Sequence, residues 1–68
     1  MKTKEKVKML MKMKDNMSVY ELAREVDIIY GDLNYRLNTR NKKFTKEQIE
    51  KIANYFCVKY EWLASDEK

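Results

Sequence analysis

The stretch SVYELAREVDIIYGDLNYRLN, residues 18–38, begins with a strong helix-start signal. Ser18 and Glu21 form the S-x-x-E pattern of a capping box. Apolar residues follow at helical spacing as far as Val26. Asp27 comes next, and aspartate tolerates the left-handed conformation of a tight turn. The pattern therefore predicts a short helix that ends near Val26.

A second short helix is predicted directly after this turn, over residues 29–38. Leu33 and Leu37 lie four residues apart, so they share one face of that helix. Gly31 near its start either eases the turn or allows close approach to the backbone. Two short helices joined by a tight turn, the second flanked by basic residues, predict a helix-turn-helix over residues 18–38.

The segment before this stretch also has a helical pattern, predicted over residues 3–14. Asp15 and Asn16 predict that this helix ends there. Methionine at helical spacing is typical of adaptable core filling. The predicted apolar stripe consists of Val7, Leu10 and Met11, widened by Met9 and Met13.

Two more helices are predicted downstream. Thr45 and Gln48 form a second capping box, and an apolar face follows from Ile49 to Phe56. A short fifth helix carries Tyr60, Trp62 and Leu63. We expect Cys57 to be buried and Trp62 to fill the core, with an intermolecular contact as the alternative for Trp62. The tail, residues 65–68, is expected to fray.

The amino-acid composition limits the classes of protein to which the chain can belong. The chain has 68 residues with one Gly and no Pro, which predicts a single all-α domain over residues 1–68. A single Cys and no His exclude an intrachain disulfide, the usual zinc finger and a His-based triad. One Gly cannot build a phosphate-cradling loop, and Glu21 and Glu25 lie on a solvated face. We therefore expect no enzyme activity, no catalytic residue, no metal and no cofactor. A free Cys and the absence of a targeting or spanning segment predict a cytoplasmic protein.

Charge is segregated along the chain although the net charge is only +4. Residues 1–14 carry six Lys and one Glu, and residues 15–33 carry one Arg and five acids. Residues 34–46 carry five cations and no acid, mixed with Asn and Tyr. Cations interleaved with amides and an aromatic ring are typical of a nucleic-acid surface. A solvated face is the alternative, above all for residues 1–14.

The stretch of residues 18–38 resembles the helix-turn-helix of the Cro/Xre family of phage repressors and small bacterial regulators. Leu22 and Ala23 match the first helix, and in that family the Ala permits close approach of the two helices. The pattern from Ile49 to Phe56 and the Trp62-Leu63 pair resemble the family's closing helices, so the likeness covers residues 5–64. The resemblance implies a five-helix, lambda-repressor-like domain and a stand-alone regulator without a sensor domain.

Four positions depart from the family's pattern. The turn position, usually Gly, is Asp27, and the start of the recognition helix, usually a small polar cap, is Ile29. Val19 replaces the usual Gln near the phosphates, and Asp32 places an acid on the helix that would face DNA. A carboxylate repels phosphate, but it can also accept a hydrogen bond from the cytosine amino group.

The resemblance also implies a role for each matching position. A recognition helix reads base edges in the major groove, while the surrounding residues hold phosphates. The base-facing candidates are Tyr30, Gly31, Asp32, Asn34 and Tyr35. The phosphate-contacting candidates are Ser18, Arg36, Asn38, Arg40, Lys42 and Lys43. Packing on the domain is the alternative for the two tyrosines, and plain solubility is the alternative for the cations of the loop.

The expected partner is double-stranded DNA with a palindromic operator, bound by a homodimer acting as a repressor of phage or mobile-element origin. No small-molecule ligand and no membrane are expected. The rival hypothesis is a protein-binding module on the same fold, such as an antirepressor or an inhibitor of a host protein. A basic helix on a membrane surface, formed by residues 1–14, is a third interpretation.

Overall fold

Five α-helices form the protein in the computed structural model, which describes residues 2–65. They are α1 (Thr3–Met13), α2 (Val19–Val26), α3 (Tyr30–Asn38), α4 (Lys46–Phe56) and α5 (Tyr60–Ala64). No strand occurs among the described residues. The all-α class and the five helices are confirmed, and the bounds of α1 and α3 differ by one residue from those predicted. Of the predicted frayed tail, residues 66–68 lie outside the described part.

Capping boxes begin α2 and α4, as the sequence predicts. The Ser18 hydroxyl accepts a hydrogen bond from the Glu21 backbone N–H at 3.1 Å, and the Glu21 carboxylate accepts from the Ser18 N–H at 2.9 Å. Thr45 and Gln48 make the same reciprocal pair at 3.1 and 3.0 Å. Each box satisfies two backbone donors that the first turn of a helix leaves unpaired.

Left-handed residues end two of the helices, α2 and α4. Asp27 has φ 56° and ψ 49°, and its N–H donates to the Ala23 carbonyl at the end of α2. Cys57 has φ 59° and ends α4 in the same way. Asp15 and Asn16 also have positive φ values and form the break after α1. Asp and Asn adopt this conformation more readily than most side chains, which explains three of the four positions.

One apolar core lies between all five helices. Its fully buried centre consists of Val7, Leu22, Leu33, Leu37, Ile52 and Leu63, contributed by α1 through α5. α2 packs against both α3 and α4, while α5 packs against α1 and α4. Ala23 is buried in α2, and the Ile28 N–H donates to its carbonyl at 3.0 Å. The Cα radius of gyration is 10.6 Å, close to the value of about 11 Å expected for a folded chain of this length.

Three expectations about burial are wrong. Cys57 is exposed because the chain leaves the helix there, so the apolar face of α4 cannot be extended through it. Met13 is 74% exposed at the last residue of α1, beyond the core that Met11 reaches. Trp62 is 40% exposed, whereas its neighbour Leu63 is fully buried, so Leu63 is the core residue of α5.

The first and last helices, α1 and α5, are joined by hydrogen bonds. The buried Thr3 hydroxyl donates to the Leu63 carbonyl at 2.6 Å. Lys6 is only 4% exposed, and its ammonium donates to the Trp62 carbonyl and to the Ser65 hydroxyl. The N-terminal cations are therefore not all surface charges. Within residues 2–65, no helix is both long and apolar enough to cross a membrane.

Candidate nucleic-acid interface

The outward face of α3 is formed by residues opposite the buried pair Leu33 and Leu37. Helical geometry places Gly31, Tyr35 and Asn38 there, and all three are exposed. Tyr35 is 51% exposed, and the Lys42 ammonium lies 5.9 Å from the centre of its ring. The tyrosine ring and the cation beside it thus face outward together.

Gly31 has no packing reason to lack a side chain. A Cβ built on it would have no neighbouring heavy atom within 4 Å. Its φ is not positive, so the turn does not require glycine either. Of the two interpretations of Gly31, an easier turn does not require glycine at this φ. Close approach to the backbone, which no part of the chain makes, remains a prediction for a partner.

Asn34 and Asn38 form an amide pair on successive turns of α3. The Asn38 Nδ2 donates to the Asn34 Oδ1 at 2.8 Å and to the Asn34 carbonyl at 3.0 Å. Asn38 is exposed and Asn34 is half-buried. Amide side chains can both donate to and accept from base edges and phosphates, and this pairing orients them.

Asp32 lies at the flank of α3 that faces α4. Its Oδ1 accepts from the Arg36 Nε at 2.9 Å, and its Oδ2 accepts from the Gln48 Nε2 at 2.6 Å. The hydrogen bond from Arg36 holds the pKa of the Asp32 carboxyl below its ordinary value, with a smaller contribution from Gln48 against the opposing effect of desolvation. Arg36 also donates to the Lys43 carbonyl at 2.6 Å. Both predicted site residues therefore have partners within the chain.

An aromatic and aliphatic patch lies at the start of α3. Tyr30 is about half exposed, and its ring meets Tyr20 of α2 edge-on at 6.0 Å. Ile29 directly before α3 is 80% exposed. Arg24 lies 5.9 Å from the Tyr20 ring. We call the side chains of Tyr20, Ile29 and Tyr30 the Tyr20–Ile29–Tyr30 patch. Tyr20 is not among the predicted site residues, although its place in the first turn after the Ser18 cap was the available signal.

An open basic cleft joins the N-terminal block to the loop after α3. Its volume is about 350 Å³, and it is lined by Lys2, Lys4, Lys8, Asn38, Thr39 and Arg40, together with Glu5. The Lys4 ammonium donates to the Arg36 and Lys42 carbonyls and so holds the loop against α1. The cations of residues 1–14 and 34–46 thus meet beside the end of α3. Lys2 and Lys8 were not among the predicted phosphate contacts, because the packing of α1 cannot be deduced from its own sequence.

The remaining predicted phosphate contacts surround this region. Lys42 and Lys43 are exposed in the loop before α4. Ser18 is exposed at the start of α2, and its neighbours Met17 and Val19 line a second open cleft with Asn38. The end of α3 therefore has candidate contacts on both sides.

Within residues 2–65, no group of three or more acidic, His or Cys side chains is arranged to hold a metal ion. Comparisons of the chain with protein-family models, with curated proteins and with solved structures find no match.

Proposed function

We propose that the protein is a sequence-specific DNA-binding regulator of the Cro/Xre type that acts as a repressor in the cytoplasm. The observation that carries this proposal is the meeting of the two basic blocks beside the outward face of α3. Backbone phosphates supply most of the affinity of such complexes, so a cationic surface next to a helix is the arrangement they require.

The proposed recognition helix is α3, inserted into the major groove by the turn at residues 27–29. α2 and α3 are separated by only these three residues and pack together, which is the connection that a helix-turn-helix needs. Gly31, Tyr35 and Asn34 would face base edges, and Arg40 and Lys8 would hold phosphates. Tyr30 would contact bases from the start of the helix.

The acid on α3 is compatible with this role. Asp32 is paired with Arg36, whose guanidinium lies 2.9 Å from the carboxylate and offsets its charge within the chain. A paired carboxylate at the flank of the helix repels phosphate less than an isolated one. Asp32 and Arg36 then serve to orient α3 relative to α4, in addition to any contact with DNA.

A homodimer is part of the proposal. One domain of 68 residues is too small to select one site in a genome, whereas two copies double the contact area. Two-fold symmetry would place the half-sites about 34 Å apart, one turn of DNA. The exposed Trp62 and Met13 are apolar side chains available for the contact between copies.

The Tyr20–Ile29–Tyr30 patch favours a second candidate function, a protein-binding module such as an antirepressor or an inhibitor of a host protein. Large apolar side chains are exposed there beside the acid Asp27. Exposed apolar patches commonly mark protein contacts.

A salt series distinguishes these functions. Binding is measured to labelled DNA from upstream of the protein's own gene and to a scrambled duplex of equal length. A regulator prefers the upstream DNA by about 4 kcal/mol or more, and its affinity falls with salt at a slope near −0.9 for each phosphate neutralised. Weak and equal binding to both duplexes that vanishes at physiological salt contradicts the proposal and favours the protein-binding module.

Charge reversal at single residues tests which surface binds DNA. Arg40→Glu should weaken binding to both duplexes and reduce the magnitude of the salt slope by about 1, since one phosphate contact is lost. Lys59→Glu is the matched control, because it makes the same change in net charge on an exposed residue directly before α5. Equal effects of the two variants would mean that only net charge matters and that the basic cleft is not the binding surface.

A further inference from the structure

A second cleft, distinct from the basic cleft, lies where the end of α1, the start of α2 and the end of α3 meet. Its volume is about 320 Å³, near the lower end of the range of about 300–1,000 Å³ for small-molecule sites. Its apolar lining consists of the buried Met11 and Leu37 and the half-buried Met17 and Val19. We call it the methionine cleft.

The polar lining of the methionine cleft is cationic and carries no acid. It consists of Lys8, Lys12, Asn16 and Asn38. The two lysines lie four residues apart on α1, so their ammonium groups share one face of the helix and repel each other. Neither lysine makes a hydrogen bond or an ion pair with the part of the chain that the structure describes. The cleft therefore combines an apolar surface with two positive charges that the chain does not neutralise.

We propose that the methionine cleft binds an aliphatic carboxylate of medium chain length and that this ligand weakens DNA binding. The carboxylate lies between the ammonium groups of Lys8 and Lys12, and its alkyl chain covers the apolar lining. Lys8 also lines the basic cleft. A carboxylate held by Lys8 consequently competes with a DNA phosphate for the same cation. This competition rests on the proposed function, whereas binding of the carboxylate does not.

The lining residues select this class of ligand. Methionine is unbranched and flexible, so Met11 and Met17 can adapt to an alkyl chain. None of the lining residues is aromatic, so an aromatic acid would find no ring with which to stack. A phosphate would pair with the lysines but would leave the apolar lining exposed to water. A carboxylate with an alkyl chain satisfies both parts of the cleft.

The sequence predicts no small-molecule ligand, because the cleft is assembled from three helices. Lys8 and Leu37, which both line it, are far apart along the chain. No local pattern brings such residues together. The cleft is a consequence of how α1 packs beside the end of α3.

The test titrates the full chain, labelled with ¹³C at its methionine methyl groups, with sodium octanoate and follows the methyl signals by NMR. Met11 and Met17 should shift with a Kd on the order of 1 mM, as expected for so small a ligand. Met13 is the internal control, because it is 74% exposed but does not line the cleft. Sodium acetate should shift neither signal at the same concentration, since each methylene removed weakens binding by up to about fourfold.

Variants of the lysines test the position of the carboxylate. Lys12→Gln should weaken octanoate binding about threefold, the usual effect of one exposed ion pair. Lys14→Gln is the matched control, because it makes the same change in charge, but the Lys14 ammonium lies 4.8 Å from the centre of the Tyr55 ring and outside the cleft. Equal shifts of Met13 and Met17, or equal effects of the two variants, overturn the proposed site.

DNA titrations in octanoate and in acetate at equal concentration test the competition. Octanoate should reduce the magnitude of the salt slope by about 1 relative to acetate, since one phosphate contact is lost. An unchanged slope together with shifted Met11 and Met17 signals overturns the competition and leaves the proposed function standing. Equal binding to the upstream and scrambled duplexes overturns the proposed function, whereas the methyl shifts would still establish the carboxylate site.

Discussion

Gly31 lies in the first turn of α3, where most other residues would favour the helix more. Glycine loses more backbone freedom on folding than any other residue, and it costs about 1 kcal/mol relative to alanine inside a helix. Nothing in the chain occupies the space where its side chain would be. The absence of a side chain at Gly31 is therefore unfavourable for folding, and close approach of DNA in the proposed complex would explain it.

Gly31→Ala should accordingly raise the free energy of unfolding by up to about 1 kcal/mol. It should also weaken specific DNA binding roughly tenfold, since an added methyl group in a closely packed contact costs about 1–3 kcal/mol. Denaturant unfolding and a DNA titration on the same preparation measure both effects.

Asn54→Ala is the matched control for Gly31→Ala. Asn54 is exposed on α4, and alanine also favours a helix more than asparagine does. This variant should gain stability and keep its affinity for DNA. If Gly31→Ala binds DNA as well as the original chain, then α3 does not approach the bases at Gly31.

α3 makes its main helix contact with α2, and the Asp32 carboxylate ties it to α4. Arg36 and Gln48 both donate to this carboxylate, and Arg36 continues to the Lys43 carbonyl in the loop. A shift of Gln48 or of the loop would therefore change the orientation of α3. We infer that this network sets the angle at which the candidate recognition helix is presented.

The Asp32 network predicts a pH dependence of stability. The pKa of Asp32 is lowered in the folded chain, chiefly by the Arg36 hydrogen bond, so the stabilisation is present above the unfolded pKa and is lost as the pH falls through the folded one. Asp32→Asn should therefore melt below the original chain at pH 7. The difference in melting temperature should shrink once the pH falls below 3.8, the ordinary pKa of the aspartate carboxyl, and should vanish below the lowered pKa of the folded chain. Thermal unfolding from pH 7 to pH 2 measures it.

Glu25→Gln is the control for the loss of a carboxylate, because Glu25 is exposed on α2. A surface change of this kind alters stability by no more than about 0.5 kcal/mol. If the difference in melting temperature between Asp32→Asn and the original chain stays constant down to pH 2, the charge of Asp32 is not what stabilises the fold.

At the scale of the whole molecule, contacts between α1 and α5 hold the first and last helices together. Lys6 is buried, its ammonium lies 4.8 Å from the centre of the Trp62 ring, and it donates to the Trp62 carbonyl near the end of α5. Carbonyls at the end of a helix attract a cation. This lysine consequently acts as a structural residue, although it lies within a basic block that resembles a nucleic-acid surface.

Lys6→Met should destabilise the fold by about 1.5–3 kcal/mol, the usual contribution of hydrogen bonds to a charged group. Lys8→Met, two residues away on the exposed side of α1, should change stability by no more than about 0.5 kcal/mol. Lys8→Met should instead weaken DNA binding, since Lys8 lines the basic cleft. Chemical denaturation separates the two variants, and equal stabilities would show that the Lys6 contacts with α5 contribute nothing to folding.

Local patterns along the chain are enough to predict the helices and where α2 and α4 begin. Ser18 with Glu21 and Thr45 with Gln48 begin helices through hydrogen bonds that span three residues, so no distant part of the chain is needed to predict them. Asp27 ends α2 through its own left-handed backbone. The periodic positions of Leu33 and Leu37 likewise predict their burial, because helical geometry decides which residues share a face.

The packing of the helices, by contrast, sets which polar side chains belong to the surface and which hold the fold together. Lys6 and Lys8 have the same chemistry and neighbouring positions, yet one is buried against α5 and the other lines the basic cleft. The partners of Thr3 and Asp32 are 60 and 16 residues away along the chain. Such contacts depend on how the helices pack, which many distant residues set together, and no local pattern records them.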